Sequence, residues 1–558
     1  MDFRRLLLAL SLSFIFIFVW QSFFMPTPEV NKNDNKAILS DTVISEDLET
    51  KPVITPTSSN IVKLGTELNV KTSLILLDLN NGGTSIQNLK IIENKNNEEN
   101  VLKHTGAWNK KSGEYVYNTP VSLLENQTCN PCLIENGRPV IFNPEKTEYE
   151  YSQLENMHYV YSFNDYGIKK TTVINDTSYV IDHIFSNLDT NKKYNLLWNE
   201  GIEPTEKNIQ DDLTMLSLFA EKDKSYHSET IDDVNEMFNY SNVGWAGLKT
   251  KYFIKAITNQ KYQINKNNSV KFNSSESSLN SKSTFIYSDI DFDYGVGNQS
   301  IHTYSYIGPI DTAHLGNGKT EHLVQLFGFG WFIIGYLGQL ILWVLTSLYA
   351  FIPNYGIICI MFAFIIRVFT GPLTKQSFLS NQKMQTVQPK MKKIQEKYKD
   401  DQAKLSQATM ELYKKEGVNP LGGCLPILVQ MPLLIALFQV FRKTIEFRGA
   451  EFLPFWITDL SQPDIVLYFS FLETIPGISY FFGHGIALLP IIMGVVMFLS
   501  MKMTATSSPD PSAKFAMYFM NAFFVLLFNT FPSGLNLYYT VYNLLNFIQQ
   551  KQLKQLQS

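Results

Sequence analysis

The chain has 558 residues, more than one ordinary domain holds, and its formal net charge is −4. This balance excludes a general nucleic-acid-binding protein, and the four cysteines form no zinc-binding pattern. The mean hydropathy of −0.07 hides two unlike halves, because residues 29–321 are polar and the chain from Leu323 onward is mostly apolar.

Residues 1–25 predict a transmembrane anchor. The apolar run Leu6–Phe24 is longer than the core of a usual signal peptide, and no small-residue cleavage site follows it, although a cleavable signal peptide is the alternative. Arg4 and Arg5 would hold the N-terminus in the cytoplasm. Residues 26–60 are rich in Asn, Thr, Ser and Pro and predict a tether.

Residues 61–320 predict an all-β, sandwich-like domain on the outer side of the membrane. Short runs such as KTSLILLDL and HYVYSF alternate apolar and polar residues, and turn pairs such as Asn136-Gly137 separate them. The stretch Trp245–Ile257 fits either a strand or a short helix. No catalytic grouping and no metal-ligand spacing is visible here, so we expect neither an enzyme nor a cofactor.

Cys129-Asn-Pro-Cys132 has the shape of a redox motif. A thioredoxin-like site would place such a motif at the start of a helix, whereas the surrounding sequence is typical of a loop between strands. A local disulfide, or two spare thiols, is therefore the favoured interpretation.

A single arginine, Arg367, lies within the apolar stretch 354–375, NYGIICIMFAFIIRVFTGPLTK. A charge at a helix centre costs about 2.5–3.5 kcal/mol on membrane-insertion scales. The later apolar stretches contain no Asp or Glu to pair with it. Arg367 therefore either reaches lipid phosphate from near the cytoplasmic end, or lies in a wet groove where an acidic partner can arrive.

Residues 375–420 predict a cytoplasmic helical hairpin, because apolar residues recur there at spacings of three and four and lysines dominate the charges. The lysine face either only sets orientation or docks RNA, acidic lipid or incoming protein. An odd number of crossings must separate this hairpin from the β region. Residues 321–353 therefore predict an amphipathic helix lying in the interface rather than a span.

The remaining spans are predicted at Leu421–Phe441, Gly485–Met503, Phe515–Phe531 and Leu535–Gln550, with residues 465–484 interfacial and residues 551–558 a cytoplasmic tail. The fold class is thus an α-helical polytopic membrane protein. It has an N-terminal anchor helix, a five-helix core over residues 354–550 and an all-β periplasmic domain.

The core resembles the YidC family of membrane protein insertases in its Gram-negative form. The resemblance rests on the hairpin and following helix, KMQTVQPKMKKIQEKYKDDQAKLSQATMELYKKEGVNPLGGCLPILVQMPLLIALF, on PFWITDLSQPD, and on FPSGLNLYYTVYNLLNFIQQ. It implies a hydrophilic groove with Arg367 as its arginine, Gln430 as a polar neighbour and Tyr539 as a substrate-contacting tyrosine. Ala363 and Phe364 stand where relatives often carry a hydroxyl, so the groove is expected to be less polar.

The resemblance further implies an inner-membrane, multi-pass insertase and chaperone with both termini cytoplasmic. Its partners would be nascent membrane proteins, the Sec translocon, the ribosome and membrane lipids, with no cofactor and no specific nucleic acid. Two other classes stay open: a scaffold or assembly factor acting through the periplasmic domain, and a solute transporter for an anionic substrate. The lack of an internal repeat in the core argues against the transporter.

Overall fold

The architecture is taken from a computed structural model, which forms two compact units that meet in sequence between Phe327 and Gly328. The structure describes residues 62–63, 68–80, 85–94, 102–109, 114–199, 201–222, 225–230, 237–259, 269–280, 283–316, 318–330, 332–398, 401–418, 425–469, 483, 485–505 and 511–555. The predicted anchor and tether, residues 1–60, lie outside these ranges.

The first unit is built from antiparallel strands, as the alternating sequence predicts. Strand Ile75–Asn80 shows why, because its side chains alternate between buried and half-buried positions along the whole strand. In chain order the strands of this unit are β1 Val62–Lys63, β2 Leu68–Lys71, β3 Ile75–Asn80, β4 Ser85–Ile91, β5 Thr105–Asn109, β6 Glu114–Leu124, β7 Cys132–Glu135, β8 Arg138–Pro139, β9 Asn143–Ser152, β10 Met157–Phe163, β11 Lys169–Asn175, β12 Val180–Ser186, β13 Tyr194–Trp198, β14 Ser217–Lys222, β15 Ser225–Thr230, β16 Met237–Ser241, β17 Val243–Lys249, β18 Phe253–Asn259, β19 Ser269–Asn280, β20 Ser283–Gly295 and β21 Ser300–Pro309. A short helix, α1 Ile209–Leu213, and a 3-10 helix, Gly318–Leu326, complete the unit.

These strands form three sheets. The largest runs β1-β9-β10-β11-β12-β21-β18-β17-β14-β15, the second β16-β19-β20-β13-β7-β8, and the third β2-β3-β4-β6-β5. The first two sheets share a core, since the Trp198 ring of β13 lies 6.5 Å from the His183 ring of β12. The ambiguous stretch Trp245–Ile257 consists of two strands and the turn between them, since it forms the antiparallel pair β17–β18.

The Cys129–Cys132 pair is joined by a disulfide and spans the end of the loop from β6 and the first residue of β7, not the start of a helix. The local disulfide is thereby confirmed, and the thioredoxin-like placement is absent from this loop. Two buried lysines bond to the same loop: Lys170 Nζ donates to the Pro131 carbonyl oxygen at 3.4 Å, and Lys255 Nζ donates to the Asn130 side chain. Burial lowers the pKa of Lys170 to about 7.

The second unit is helical. Its helices are α2 Phe332–Tyr349, α3 Tyr355–Lys397, α4 Gln402–Glu416, α5 Leu425–Lys443, α6 Leu488–Ala505, α7 Pro511–Phe528 and α8 Ser533–Gln555. Helix α8 packs against both α3 and α6, while α7 packs on α6 and α2 packs on α5. Among the described residues, one helix stretch, Tyr355–Met384, is long and apolar enough by itself to cross a membrane.

The sequence predicted an apolar stretch over residues 354–375 and a separate hairpin of short helices over residues 375–420. Helix α3 instead continues through Pro372 and Pro389 to Lys397, a length of 43 residues. At 1.5 Å per residue this is about 65 Å, roughly twice the 30 Å hydrocarbon thickness. One continuous rod therefore carries both the apolar stretch and the first arm of the hairpin.

The hairpin itself packs as its spacing predicts. Val387 on α3 and Leu412 on α4 are buried together with Val418, and Met384, Met391, Ile394 and Tyr413 pack around them. Asp401 caps α4 by accepting the Lys404 N–H at 3.0 Å, and Gly417 ends it in the left-handed conformation with φ 62°.

Residues 465–484, predicted as one interfacial segment, begin with a strand. Strand β22, Ile465–Tyr468, pairs antiparallel with β23, Gly485–Ala487, which leads directly into α6. Residues 470–482 lie outside the described ranges.

Candidate functional site

The candidate site surrounds Arg367, which α3 carries three turns after its start. Asn354 begins this helix by accepting the Ile357 N–H at 3.0 Å. Side chains at Phe364, Val368 and Phe369 are exposed on the apolar helix, whereas Arg367 itself is only 8% exposed. The charge is thus turned inward, toward α8, and away from the exposed apolar face.

Neutral groups surround the guanidinium. Its Nη2 atom donates to the side-chain oxygen of Asn546 at 3.0 Å and to that of Gln549, and Nη1 donates to Thr374 Oγ1 at 3.3 Å. The centre of the guanidinium lies 5.5 Å from the centroid of the Tyr542 ring, a cation–π distance. Within the described part of the chain, none of these partners carries a negative charge.

These contacts supply partners that were not predicted from the sequence. No later apolar stretch contains an acid to pair with the guanidinium, and the structure gives it amide and hydroxyl acceptors. Thr374 lies on α3, whereas Tyr542, Asn546 and Gln549 lie on α8. For the three on α8 the available signal was their spacing, since residues 539, 542, 546 and 549 follow one another by three or four and so share a helix face.

Gln430 and Tyr539 lie together. The Gln430 Nε2 atom on α5 donates to the Tyr539 hydroxyl on α8 at 3.3 Å. Tyr539 is buried and stands on the same α8 face as Tyr542, one turn before it. The face thus runs from the Gln430 contact at one end to the Arg367 contact at the other.

A second polar link joins α3 to this face beside Arg367. Thr370 Oγ1 lies 3.1 Å from the Tyr542 hydroxyl, and Gln549 Nε2 donates to the Gly371 carbonyl oxygen at 3.3 Å. Gln549 therefore bonds both the guanidinium and the α3 backbone. Ala363 is fully buried one turn before Arg367, so the wall in that direction is apolar.

Comparison with known families accounts for both units. The family described as the YidC periplasmic domain matches residues 67–344, and the family described as the 60Kd inner membrane protein matches residues 347–558. The chain belongs to the YidC family. Its fold is accordingly that of YidC, with a β-rich periplasmic domain and a helical C-terminal region.

Curated relatives named membrane protein insertase YidC are similar over much of this YidC-family chain. The protein from Chlorobium luteolum is 36% identical over 374 residues, which are 64% of this chain and 60% of the relative. That from Chlorobaculum tepidum is 33% identical over 396 residues, 69% of this chain and 65% of the relative. The chain thus spans about three fifths of the length of the relatives it matches.

A solved structure described as an active YidC insertase with its first transmembrane domain resolved is also similar to this YidC-family chain. It is 18% identical, covers 88% of this chain and 93% of its own, and has a TM-score of 0.34.

Proposed function

We propose that this chain is a membrane protein insertase and chaperone, in which Arg367 receives the acidic part of a substrate that is to cross the bilayer. The contacts of Arg367 support the proposal. Its guanidinium lies between two largely apolar helices and donates to the amides of Asn546 and Gln549, which stand one turn apart on α8, and to no acid among the described residues. The names of the relatives, membrane protein insertase YidC, point to the same activity.

The chemistry follows from the kind of partner that holds the charge. A carboxylate brings a full negative charge to the guanidinium and often accepts from it in a bidentate fashion, whereas each amide oxygen carries only a partial charge and accepts singly. A substrate carboxylate therefore displaces the Asn546 and Gln549 oxygens from Arg367 favourably. When it leaves, the two amides resume their bonds, so the charge is satisfied before and after each substrate.

The remaining step is transfer of the substrate through and into the hydrocarbon of the bilayer. A hydrophilic tail must cross a hydrocarbon slab of about 30 Å, and a polar groove that reaches partway shortens the dry path. The substrate's hydrophobic segment then moves past the groove into lipid, driven by burial of apolar surface at about 25 cal/mol per Å². Gln430 and Tyr539 mark the outer end of the groove, where they meet the tail after Arg367 has drawn it in.

In this proposal the topology is multi-pass, with both termini in the cytoplasm and the β domain in the periplasm. The anchor and a five-helix core made of α3, α5, α6, α7 and α8 cross the inner membrane, and α2 lies in the interface. The exposed lysines of the hairpin face the cytoplasm, where nascent chains arrive from the ribosome or the Sec translocon. Lipids surround the core.

The test is insertion of a single-span substrate with an acidic outer tail into liposomes that contain only the purified protein. Protease protection of the tail is compared between wild type, Arg367→Lys and Arg367→Ala. We expect Arg367→Lys to retain most of the protection and Arg367→Ala to lose it, because in this proposal the positive charge attracts the acidic tail. Equal protection with all three proteins would refute the role of Arg367.

A further inference from the structure

The strand pair β22–β23 forms a two-stranded ribbon that exposes large apolar and aromatic side chains on both faces of β22. Leu467 and Tyr468 follow each other in the regularly paired part of this strand and therefore point to opposite faces, yet Leu467 is 55% exposed and Tyr468 is 61% exposed. Ile486, the register partner of Leu467, is also exposed, at 36%. A soluble hairpin buries one face and presents polar residues on the other, and β22 does neither.

The surrounding sequence is equally apolar. Between Ile465 and Ala487 the one residue charged at neutral pH is Glu473. A protein partner that docked on this ribbon would cover one face and leave the other apolar face in water. A lipid environment covers both faces at once, so the two-sided exposure favours lipid over a protein surface.

The ribbon is fixed rigidly to the end of a core helix. Asn529 clamps β23 by donating to the Gly485 carbonyl oxygen at 2.7 Å and by accepting the Ala487 N–H at 2.8 Å. Asp464, directly before β22, accepts the N–H groups of Leu488 at 3.2 Å and Leu489 at 2.8 Å and so caps α6. The strands therefore keep a fixed height relative to the start of α6.

The exposed face of α6 continues the apolar surface of the ribbon. Along this helix the exposed large apolar side chains are Ile491, Ile492, Val495, Phe498 and Leu499. Their spacing of one, three and four places them on one stripe. In the proposed topology this stripe faces lipid, and the ribbon stands where the stripe reaches the outer end of the helix.

We propose that β22–β23 is immersed in the outer interface of the bilayer, with lipid against both of its faces. The interface, rather than the hydrocarbon interior, is its place because the outer edges of a two-stranded ribbon leave backbone groups that need water or headgroups. This inference rests on the proposed topology and assigns a lipid-contacting surface beyond the groove.

The experiment places a nitroxide spin label on each face of the ribbon in the full chain. Leu467→Cys and Tyr468→Cys are made with Cys359→Ala and Cys424→Ala, which leaves the Cys129–Cys132 disulfide intact. A third label at Leu154→Cys is the matched control, because Leu154 is an apolar residue 99% exposed in the β unit. All three proteins are reconstituted alone in liposomes of phosphatidylethanolamine and phosphatidylglycerol.

Power saturation then compares relaxation of each label by oxygen, which partitions into lipid, and by a water-soluble nickel chelate. We expect both ribbon labels to respond to oxygen and to lose most of the response to nickel, and the Leu154 label to show the reverse. Nickel access at both ribbon positions, or at one of the two, would overturn immersion. Protection found only in native membranes would also overturn it, since a partner would then be the cover.

The same labelled proteins are tested for substrate insertion. Water exposure of the ribbon in a protein that still inserts would remove the immersion proposal and leave the insertase intact. Lipid exposure of the ribbon, together with full insertion by Arg367→Ala, would instead remove the role proposed for the groove arginine.

Discussion

Replacing the Gln549 amide with an apolar side chain of similar size tests whether α8 holds the guanidinium. Gln549→Leu takes away one acceptor from Arg367 Nη2 and leaves the bonds to Asn546 and Thr374. A hydrogen bond to a charged group contributes about 1.5–3 kcal/mol in a soluble protein. Interhelical hydrogen bonds in membrane proteins average only about 0.6 kcal/mol, because the unfolded state in the membrane also finds partners. We therefore expect a coupling of about 1–2 kcal/mol between Gln549 and Arg367.

The coupling is measured with a double-mutant cycle. The free energy of unfolding is taken from titration with SDS in mixed micelles, followed by far-ultraviolet circular dichroism, for wild type, Gln549→Leu, Arg367→Met and the double variant. The cycle cancels the separate bond from Gln549 to the Gly371 carbonyl. Asn543→Leu is the matched control, since Asn543 lies on α8 but donates to the Tyr539 backbone oxygen at 2.8 Å. Additive effects within about 0.5 kcal/mol would refute the holding contact.

Three further predictions concern packing and buried charge. Gly494→Ala should destabilise the protein by about 1–3 kcal/mol, because a Cβ there would overlap the Val525 side chain, and Val525→Ala in the same chain should restore most of the loss in SDS titration. Burial lowers the pKa of Lys170 from 10.5 to about 7, so between these pH values the unfolded chain binds more protons than the folded one, and the free energy of unfolding should rise with pH. Lys170→Met should remove that rise, as measured by thermal unfolding at several pH values. A rise that is unchanged in the variant would contradict the prediction. Burial raises the pKa of Asp464 from 3.8 to about 6, so its contribution to stability is full below pH 3.8 and is lost as the pH rises through 6. Over this interval the melting temperature of Asp464→Asn should therefore fall less than that of wild type. Equal falls in the two proteins would contradict the prediction.

Much of the helical unit was predictable because the relevant signals are local. The predicted spans Leu421–Phe441 and Phe515–Phe531 correspond to α5 and α7 within a few residues at each end. The apolar stripe through Met384 and Leu412 likewise placed the two hairpin arms against each other. In these segments the periodicity of the sequence and the packing in the structure agree.

The continuity of α3 through its prolines was not predictable in the same way. Pro372 and Pro389 are both signals for a helix end, yet the helix passes through both. A proline lacks one backbone N–H and leaves a carbonyl four residues earlier without its usual donor. Such carbonyls are tolerated where neighbouring groups or water donate hydrogen bonds to them, and the sequence of one chain does not reveal which groups are neighbours.

The partners of Arg367 were missed for a related reason. Asn546 and Gln549 lie 179 and 182 residues away in the chain, so no local pattern links them to the arginine. A carboxylate is the usual partner of a buried guanidinium, and the later apolar stretches contain none. In the structure two amides and one hydroxyl accept hydrogen bonds from the guanidinium, and no acid among the described residues neutralises its charge.

The central claim is that this positive charge attracts acidic residues of the substrate, and a charge-matched insertion assay tests it most directly. Wild type and Arg367→Ala are each given two single-span substrates that differ only by Asp→Asn changes in the outer tail. We expect wild type to insert the acidic substrate faster than the neutral one, and Arg367→Ala to insert both at the same low rate. The Asp→Asn changes should then have no effect with Arg367→Ala, and Arg367→Ala should have no effect on the neutral substrate. If Arg367→Ala slows the acidic and the neutral substrate by the same factor, Arg367 acts without sensing the charge of the tail and the account is wrong.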